Sequence, residues 1–319
     1  DELNTDQAKK LIREIKNAGF HIMIFSGGEP LMRSDIYELG AYATQQGLRA
    51  VLGTNGSLIT PQVAGALKEA GFMAAGVSLD SLDPKKNNAF RKLDRAFELT
   101  LEGMKNLKSA SLPFQVHTTV MDWNVNELEG LTDFAVEIGA MAHHIFFLVP
   151  TGRAINIEEE GLRVAEYEKT IARVMEKQKQ VNIEIKPTCA PQFMRVADKK
   201  GIPVRFSRGC LAGISYCIIS PRGDVQPCAY MDIRLGNVKE KAFEELYVQL
   251  ESYKRNFIFA AMKPIINDLL LFYDRINIEI DNALEEKAEC PKLISFRDEL
   301  LEILYRNDII PVEKSTEGS

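Results

Sequence analysis

The sequence predicts an α/β fold in which parallel strands alternate with helices, followed by a small cysteine-bearing β-hairpin region and a helical tail. The first 190 residues alternate short apolar runs with helical patterns. Four of the five cysteines lie between residues 187 and 245. From about residue 245 onward no glycine occurs before Gly318, as is typical of long helices. These differences in composition along the chain predict three regions, 1–186, 187–245 and 246–319.

Six apolar, largely β-branched or aromatic runs predict strands covered on both faces. They are 21–26, 49–54, 74–80, 114–121, 143–149 and 181–186. Helical patterns lie between them at 5–18, 34–46, 61–71, 94–109, 126–139 and 164–179. Asn4 or Thr5 can cap the first helix, and Asp6 suits its positive first turn. This alternation predicts a βα-repeat fold with right-handed crossovers.

Polar and glycine residues follow the predicted strands. They are Ser26-Gly27-Gly28-Glu29, Thr54-Asn55-Gly56, Ser78-Leu79-Asp80-Ser81 and Pro150-Thr151-Gly152-Arg153. The carboxyl ends of parallel strands share one edge, where ligands bind. Each turn alone could be only a strand-to-helix connection, but four together favour a ligand-binding or catalytic edge. His143 and His144 are neighbours on one strand, so they should face opposite sides of the sheet.

The cysteine-bearing region predicts two short strands, 215–220 and 224–229, joined at Arg222-Gly223. Cys210, Cys217 and Cys228 lie within 19 residues of one another. Thiolates gathered across a hairpin can ligate zinc or an iron–sulfur cluster; the alternative is three buried apolar cysteines. In the tail, Ile265, Ile266, Leu269 and Leu270 have helical spacing, and a second amphipathic helix is predicted around 292–306.

Composition narrows the classes of function. The 319 residues are 45% hydrophobic and 26% charged, with a net charge of −6. This balance predicts a folded protein and argues against one that coats nucleic acid or anionic membrane. No apolar run approaches the 18 or so residues of a membrane span, and the polar start is unlike a signal peptide. With an odd cysteine count, a reducing cytoplasm is the expected location.

These residues resemble the radical S-adenosylmethionine (SAM) enzymes that have a SPASM or twitch-type auxiliary-cluster domain, over about residues 1–245. Within that group, the chain resembles the branch that acts on sirohaem-derived tetrapyrroles in alternative haem and haem d1 synthesis. The segments with this likeness are Val149–Arg153, Thr188–Arg195, Arg208–Gly213, Pro227–Tyr230 and Leu235–Val238. The resemblance implies a partial, TIM-like (β/α)6 barrel.

The resemblance also implies roles for individual residues. Gly27, Gly28 and Glu29 would contact the amino group of SAM, with Asn55, Ser78, Asp80 and Thr119 near its ribose and carboxylate. Cys210 and Cys228, with Cys189 or Cys217, would hold an auxiliary [4Fe–4S] cluster. Arg153, Arg195 and Arg208 could grip substrate carboxylates, or each could form a surface ion pair.

The chain departs from the family pattern in two ways. The family holds its radical-generating cluster through a CxxxCxxC motif, and no cysteine precedes Cys189 here. We therefore expect the chain to begin after the first barrel strand, and to be inactive in radical chemistry as it stands. After Cys228 only Cys290 remains, so the auxiliary site is expected to be partial.

The tail, around Lys263–Ile276 and Phe296–Leu304, weakly resembles GrpE, the nucleotide exchange factor of the chaperone DnaK. Three hypotheses follow. The first is radical SAM decarboxylation or deacetylation of a tetrapyrrole side chain, with ferredoxin or flavodoxin as electron donor. The second is a peptide-modifying SPASM maturase. The third is a non-catalytic chaperone-linked or dimerising module that acts through the tail, with DnaK as partner.

Overall fold

A computed structural model describes residues 2–203, 210–212, 214–231, 233–285 and 289–306, apart from the side chains of 153, 156, 158, 160, 164, 165, 251–268 and 303–306. Its largest feature is a six-stranded parallel sheet with strands in sequential order. The strands are β1 Ile22–Phe25, β2 Arg49–Thr54, β3 Ala74–Ser78, β4 Phe114–Val120, β5 Ala142–Phe147 and β6 Glu184–Thr188. No pairing between β6 and β1 closes the sheet among the described strands, so the predicted open parallel fold is confirmed.

Ten helices accompany the strands in the described chain. They are α1 Thr5–Asn17, α2 Ile36–Gln45, α3 Pro61–Glu69, α4 Pro84–Arg91, α5 Ala96–Ser109, α6 Leu128–Ile138, α7 Val164–Gln178, α8 Phe193–Lys199, α9 Phe243–Glu285 and α10 Pro291–Arg306. Short 3-10 turns lie at Pro30–Met32, Val125–Glu127 and Gly152–Glu160. The sequence patterns did not predict α4 and α8, which have only eight and seven residues.

Helix α1 begins with a reciprocal cap. The Asn4 Oδ1 atom accepts a hydrogen bond from the Gln7 backbone N–H at 2.9 Å, and the Gln7 Oε1 atom accepts one from the Asn4 N–H at 3.0 Å. Each bond satisfies a backbone donor at the helix start, where no carbonyl is available. Asn4 rather than Thr5 is therefore the capping residue.

A second, three-stranded antiparallel sheet contains β7 Ile218–Ile219, β8 Asp224–Gln226 and β9 Gly236–Asn237. The predicted hairpin is present with shorter strands. The Asn237 side-chain amide joins its turn to β8 by donating to the Arg222 carbonyl at 3.1 Å and to the Asp224 Oδ1 atom at 2.8 Å.

Contacts divide the chain into two compact units, Asp1–Glu251 and Ser252–Ser319. In the first unit, the small sheet and the start of α9 share the main core, because Val225 and Phe243 are buried in the same cluster as Leu52 and Phe114 of the large sheet. In the second unit, Ile276, Ile280 and Leu300 form a small cluster. The predicted helical tail is thus confirmed. The predicted region boundaries stay predictions.

Within the described part of the chain, none of the helices combines the length and the apolar composition that crossing a bilayer requires.

Candidate functional site

The turn after β1 presents bare backbone at the carboxyl edge of the sheet. Gly27 has φ of 141°, in the region that favours glycine. A β-carbon added at Gly27 or at Gly28 would meet no other atom within 4 Å, so the space beside both residues is open. A ligand can therefore approach the main chain closely here. Close approach of a ligand to the main chain is the reason why Gly27 and Gly28 were predicted to be binding residues.

The Glu29 carboxylate links the ends of β1 and β2. Its Oε1 atom accepts hydrogen bonds from the Thr54 hydroxyl at 2.8 Å and the Leu31 N–H at 3.2 Å, and its Oε2 atom accepts one from the Asn55 N–H at 2.8 Å. The side chain is partly exposed. Glu29 thus fixes the edge of the sheet and keeps a carboxylate near the open glycines.

The loop after β2 is held against α5. The Asn55 carbonyl accepts a hydrogen bond from the Thr100 hydroxyl at 2.9 Å, and its side chain accepts from the backbone and hydroxyl of Ser57 at 2.8 and 2.7 Å. A β-carbon at Gly103 would lie 2.3 Å from the Gly56 carbonyl oxygen. The helix therefore approaches the loop to a distance that only glycine permits, and this places Asn55 beside Glu29.

Asp80, which the resemblance places near SAM, is not accessible at the surface of the protein. Its carboxylate is completely buried, ion-paired with the Arg91 guanidinium at 2.5 Å and bonded to the Thr119 N–H at 2.8 Å. Burial raises the pKa of the carboxyl, and the positive charge of Arg91 opposes that rise. Asp80 therefore lies behind the edge of the sheet and joins the ends of β3 and β4. Its predicted contact with SAM stays a prediction.

Ser78 and Thr119 both lie on the partly open face of the sheet. The register places Ser78 beside His117, His117 beside His144, and His144 beside Lys186. The rings of His117 and His144 stack with their centroids 5.2 Å apart, and burial lowers the pKa of His117 to about 3. The sequence analysis missed this row. The sequence feature that could have shown it is that His117 and His144 occupy matching positions in two successive strands.

His143 faces the helix layer, opposite to His144. Its ring lies between the hydroxyls of Thr118 and Thr132, each 2.9 Å away, and is completely buried. Burial lowers its pKa to about 3, so the ring is neutral near neutral pH. The two histidines occupy opposite faces of the sheet, and His143 is part of the core.

Three cysteines gather where β6 meets the small sheet. Cys189 follows β6 in a left-handed conformation with φ of 60°, and its carbonyl accepts a hydrogen bond from the Tyr167 hydroxyl at 3.3 Å. Burial is the main cause that raises the pKa of the Cys189 thiol to about 11, with smaller contributions from the neighbouring Cys228 and Cys210, while a hydrogen bond with Tyr230 opposes the rise. Cys189, Cys210 and Cys228 are therefore close enough to interact electrostatically.

Cys217 lies apart from those three thiols. It packs against the main hydrophobic core, and burial alone raises the pKa of its thiol to about 11. The choice between Cys189 and Cys217 as the partner of Cys210 and Cys228 stays a prediction. Cysteine thiolates are the type of ligand that iron–sulfur clusters bind. No group of three or more metal-binding side chains is already in ligating geometry among the described residues.

The radical-generating cluster has no matching donor set in this sequence, because residues 1–188 contain no cysteine. Of the three predicted substrate arginines, the structure describes the side chain of one. Arg195 forms an exposed ion pair with Glu168 at 2.8 Å. The side chain of Arg153 and all of Arg208 lie outside the described residues.

A cavity of about 200 Å³ opens at the carboxyl ends of β4 and β5. It is lined by Val120, Phe147, Leu148, Pro150, Gly161, Leu162 and Tyr167. The Tyr167 ring lies 4.6 Å from that of Phe147, and its hydroxyl reaches the Cys189 turn. The sequence patterns did not predict this cavity, because its lining residues come from β4, from β5 and the residues after it, and from the start of α7 and the residues before it, which are separated along the chain.

Comparison with known proteins identifies the class that this fold and site define. The family model of the radical SAM superfamily matches residues 1–135, and that of the SPASM iron–sulfur cluster-binding domain matches residues 210–267. The chain is 40% identical over 266 residues to the AdoMet-dependent heme synthase of Methanosarcina barkeri, covering 80% of this chain and 76% of that protein. The chain belongs to the radical SAM superfamily, so it is a member of an enzyme family whose cofactors are SAM and iron–sulfur clusters.

More distant relatives agree with this assignment. The Fe-coproporphyrin III synthase of Methanosarcina barkeri is 29% identical over 268 residues, covering 78% of this chain and 67% of that protein. The pre-heme d1 synthase of Dinoroseobacter shibae is 27% identical over 267 residues, covering 77% and 66%.

Solved structures confirm the fold. Streptococcus suis SuiB bound to its precursor peptide SuiA superposes with a TM-score of 0.63 at 18% identity, covering 79% of this chain and 61% of that one. Native anSMEcpe with bound AdoMet gives a TM-score of 0.56 at 18% identity, covering 77% and 71%. At these identities, the likeness bears on the TIM-like fold alone.

Proposed function

We propose that this protein modifies a side chain of an iron tetrapyrrole, by decarboxylation or deacetylation, in haem or haem d1 biosynthesis. The observation that supports this most strongly is the 40% identity to an AdoMet-dependent heme synthase over 266 residues. That match covers 80% of this chain and 76% of the relative.

Radical chemistry on bound SAM would need a second [4Fe–4S] cluster, for which this sequence contains no matching cysteines, so we do not expect this chain to carry out that step by itself. In this proposal the chain's own residues position the cofactor. The backbone of Gly27 and Gly28 forms a close contact surface for SAM, and Glu29 offers a carboxylate to its ammonium group. Asn55, Ser78 and Thr119 complete the polar edge, and Asp80 fixes the ends of β3 and β4 behind it.

We assign Cys189, Cys210 and Cys228 to the auxiliary cluster, because these three thiols interact while Cys217 packs into the core. Tyr167 connects this region to the apolar cavity at the ends of β4 and β5. At about 200 Å³ this cavity is smaller than pockets that hold drug-sized ligands, so it could receive only an edge of a macrocycle. Arg153, Arg195 and Arg208 remain proposed partners of its carboxylates.

Radical SAM enzymes need a reductant, and we propose a ferredoxin or flavodoxin in the cytoplasm as the donor. Nucleotide exchange on DnaK through the GrpE-like tail stays a separate prediction. Faster ADP release from DnaK on adding the protein would support it.

A peptide substrate is the second hypothesis. The mycofactocin maturase MftC of Mycolicibacterium smegmatis is 29% identical over 232 residues, covering 72% of this chain and 57% of that protein. The heme synthase has both higher identity and greater coverage, so the tetrapyrrole hypothesis has more support.

The test is an absorbance titration of iron coproporphyrin III and of sirohaem into the folded protein. We expect a saturable shift of the Soret band, with one ligand bound per chain. Circular dichroism on the same sample establishes that the protein is folded. No shift with either ligand at a saturating concentration would overturn the tetrapyrrole assignment.

A further inference from the structure

The turn between α4 and α5 has an unusual backbone. Lys92 has φ of 53° and Arg95 has φ of 61°, and neither is glycine. Two left-handed residues with large side chains within four positions are uncommon, since this conformation is costly for any residue with a β-carbon. Backbone strain that persists in a well-packed protein is often associated with function. We call Arg91, Lys92 and Arg95 the basic turn.

The basic turn has two positive charges without an ion-pair partner in the described residues, those of Lys92 and Arg95, whereas Arg91 pairs with Asp80. Lys92 and Arg95 are both exposed. Asp94 is the single acidic residue within the turn. The turn therefore keeps a net positive charge in a chain whose net charge is −6.

Buried contacts place the basic turn at the carboxyl edge of the sheet. Arg91 pairs with Asp80, which follows β3 and accepts a hydrogen bond from Thr119 near the end of β4. On the other side of the turn, Thr100 of α5 donates to the Asn55 carbonyl after β2. The turn is therefore attached to the same edge that presents Asn55 and Thr119.

Apolar groups lie next to these charges. The rings of Phe90 and Trp123 are 5.5 Å apart, and the Arg91 guanidinium lies 5.6 Å from the Phe90 ring centroid. Leu93, at the tip of the turn, is 42% exposed. An apolar surface flanked by unpaired bases suits a ligand with a flat apolar body and carboxylates at its rim.

We propose that the basic turn binds rim carboxylates of the tetrapyrrole substrate. Lys92 and Arg95 are the binding residues, and Arg91 positions the turn through Asp80. This inference rests on the proposed function and adds a recognition element that the motif comparison did not include. Lys92 and Arg95 are both exposed in a turn that contacts this edge of the sheet through Arg91 and Thr100.

The first test uses charge reversal. In an absorbance titration with iron coproporphyrin III at low salt, the double variant Lys92→Glu/Arg95→Glu should raise the Kd by about tenfold or more. The matched control is Lys105→Glu, an exposed lysine further along α5. It should leave the Kd within about twofold of the wild-type value. Equal Kd values for the double variant and the wild type would overturn the proposal and leave the proposed function intact.

The second test separates binding from folding. The variant Lys92→Gly/Arg95→Gly removes both side chains and relieves both strained conformations. We expect its Tm to equal or exceed that of the wild type while its Kd for iron coproporphyrin III rises about tenfold. Unchanged affinity in this variant would contradict the proposal. Failure of the wild type itself to bind would overturn the proposed function as well, and so differs from failure of the turn alone.

Discussion

Two carboxylates that follow strands β1 and β3 of the parallel sheet have opposite environments. Glu29 is partly exposed and accepts hydrogen bonds from three groups at the sheet edge, whereas Asp80 is completely buried and paired with Arg91. The sequence identified both residues from their position after a strand. It could not distinguish them, because accessibility depends on Arg91, which lies on a helix that the sequence patterns did not predict.

At the residue scale, Glu29→Gln should weaken the edge of the sheet. The amide NH2 group would face either the Asn55 N–H or the Leu31 N–H, which are donors, so at least one bond is lost at a cost of about 1–3 kcal/mol. Isothermal titration calorimetry should show SAM affinity reduced by about tenfold or more. Glu69→Gln, an exposed residue at the end of α3, is the control and should bind SAM as the wild type does. Equal SAM affinity in Glu29→Gln would contradict this role.

His143 makes stability depend on pH. Burial lowers its pKa to about 3 from an ordinary value of 6.5, so below pH 6.5 the unfolded chain binds a proton that the folded chain does not. The free energy of unfolding should therefore fall as pH drops from 6.5 toward 3, by up to about 1.4 kcal/mol per pH unit for this group. Urea unfolding of His143→Gln should show a shallower slope than the wild type, with exposed His21→Gln as control. An unchanged slope in His143→Gln would refute the assignment.

Among the strands and helices, local sequence patterns were sufficient to predict the long elements. All six strands of the parallel sheet, and the helices of nine or more residues among the first 190, appear within a few residues of their predicted limits. The strand predicted at 74–80 ends at Ser78 because the Asp80 N–H bonds to the Asn87 side chain instead of continuing the sheet. Short elements such as α4 contain too few residues for their periodicity to be recognised.

Packing of α5 on the loop after β2 gives the sharpest test at this scale. Gly103→Ala would place a β-carbon 2.3 Å from the Gly56 carbonyl oxygen, a backbone atom that cannot move alone. We expect a loss of about 1–3 kcal/mol in urea unfolding. Gly65→Ala, in α3, meets no atom within 4 Å and should gain up to about 1 kcal/mol. Equal effects of the two substitutions would contradict the close approach of α5 to Gly56.

At the scale of the whole molecule, the thiol cluster is assembled from residues distant in sequence. Cys189 follows the large sheet, while Cys210 and Cys228 belong to the region of the small one. Spacing alone could not choose between Cys189 and Cys217, because the choice depends on which thiol the shared core buries. The sequence could name four candidate cysteines, but not which of them come together in the fold.

Iron and sulfide content after anaerobic reconstitution tests this grouping. Cys189→Ser, Cys210→Ser and Cys228→Ser should each lose most of the bound iron and sulfide, because each removes a thiolate ligand. Cys217→Ser should retain the wild-type content, as should the control Cys290→Ser in the second unit. Loss of iron in Cys217→Ser, or its retention in Cys189→Ser, would contradict the assignment of the auxiliary site.

Hydrogen–deuterium exchange with and without saturating iron coproporphyrin III tests the central proposal most directly, since it reports where a tetrapyrrole binds. The account predicts slower exchange at the carboxyl edge of the sheet, in residues 26–29, 54–57 and 90–97, with no change in α1 or in residues 269–285. No protection anywhere, or protection confined to the helical second unit, would contradict it.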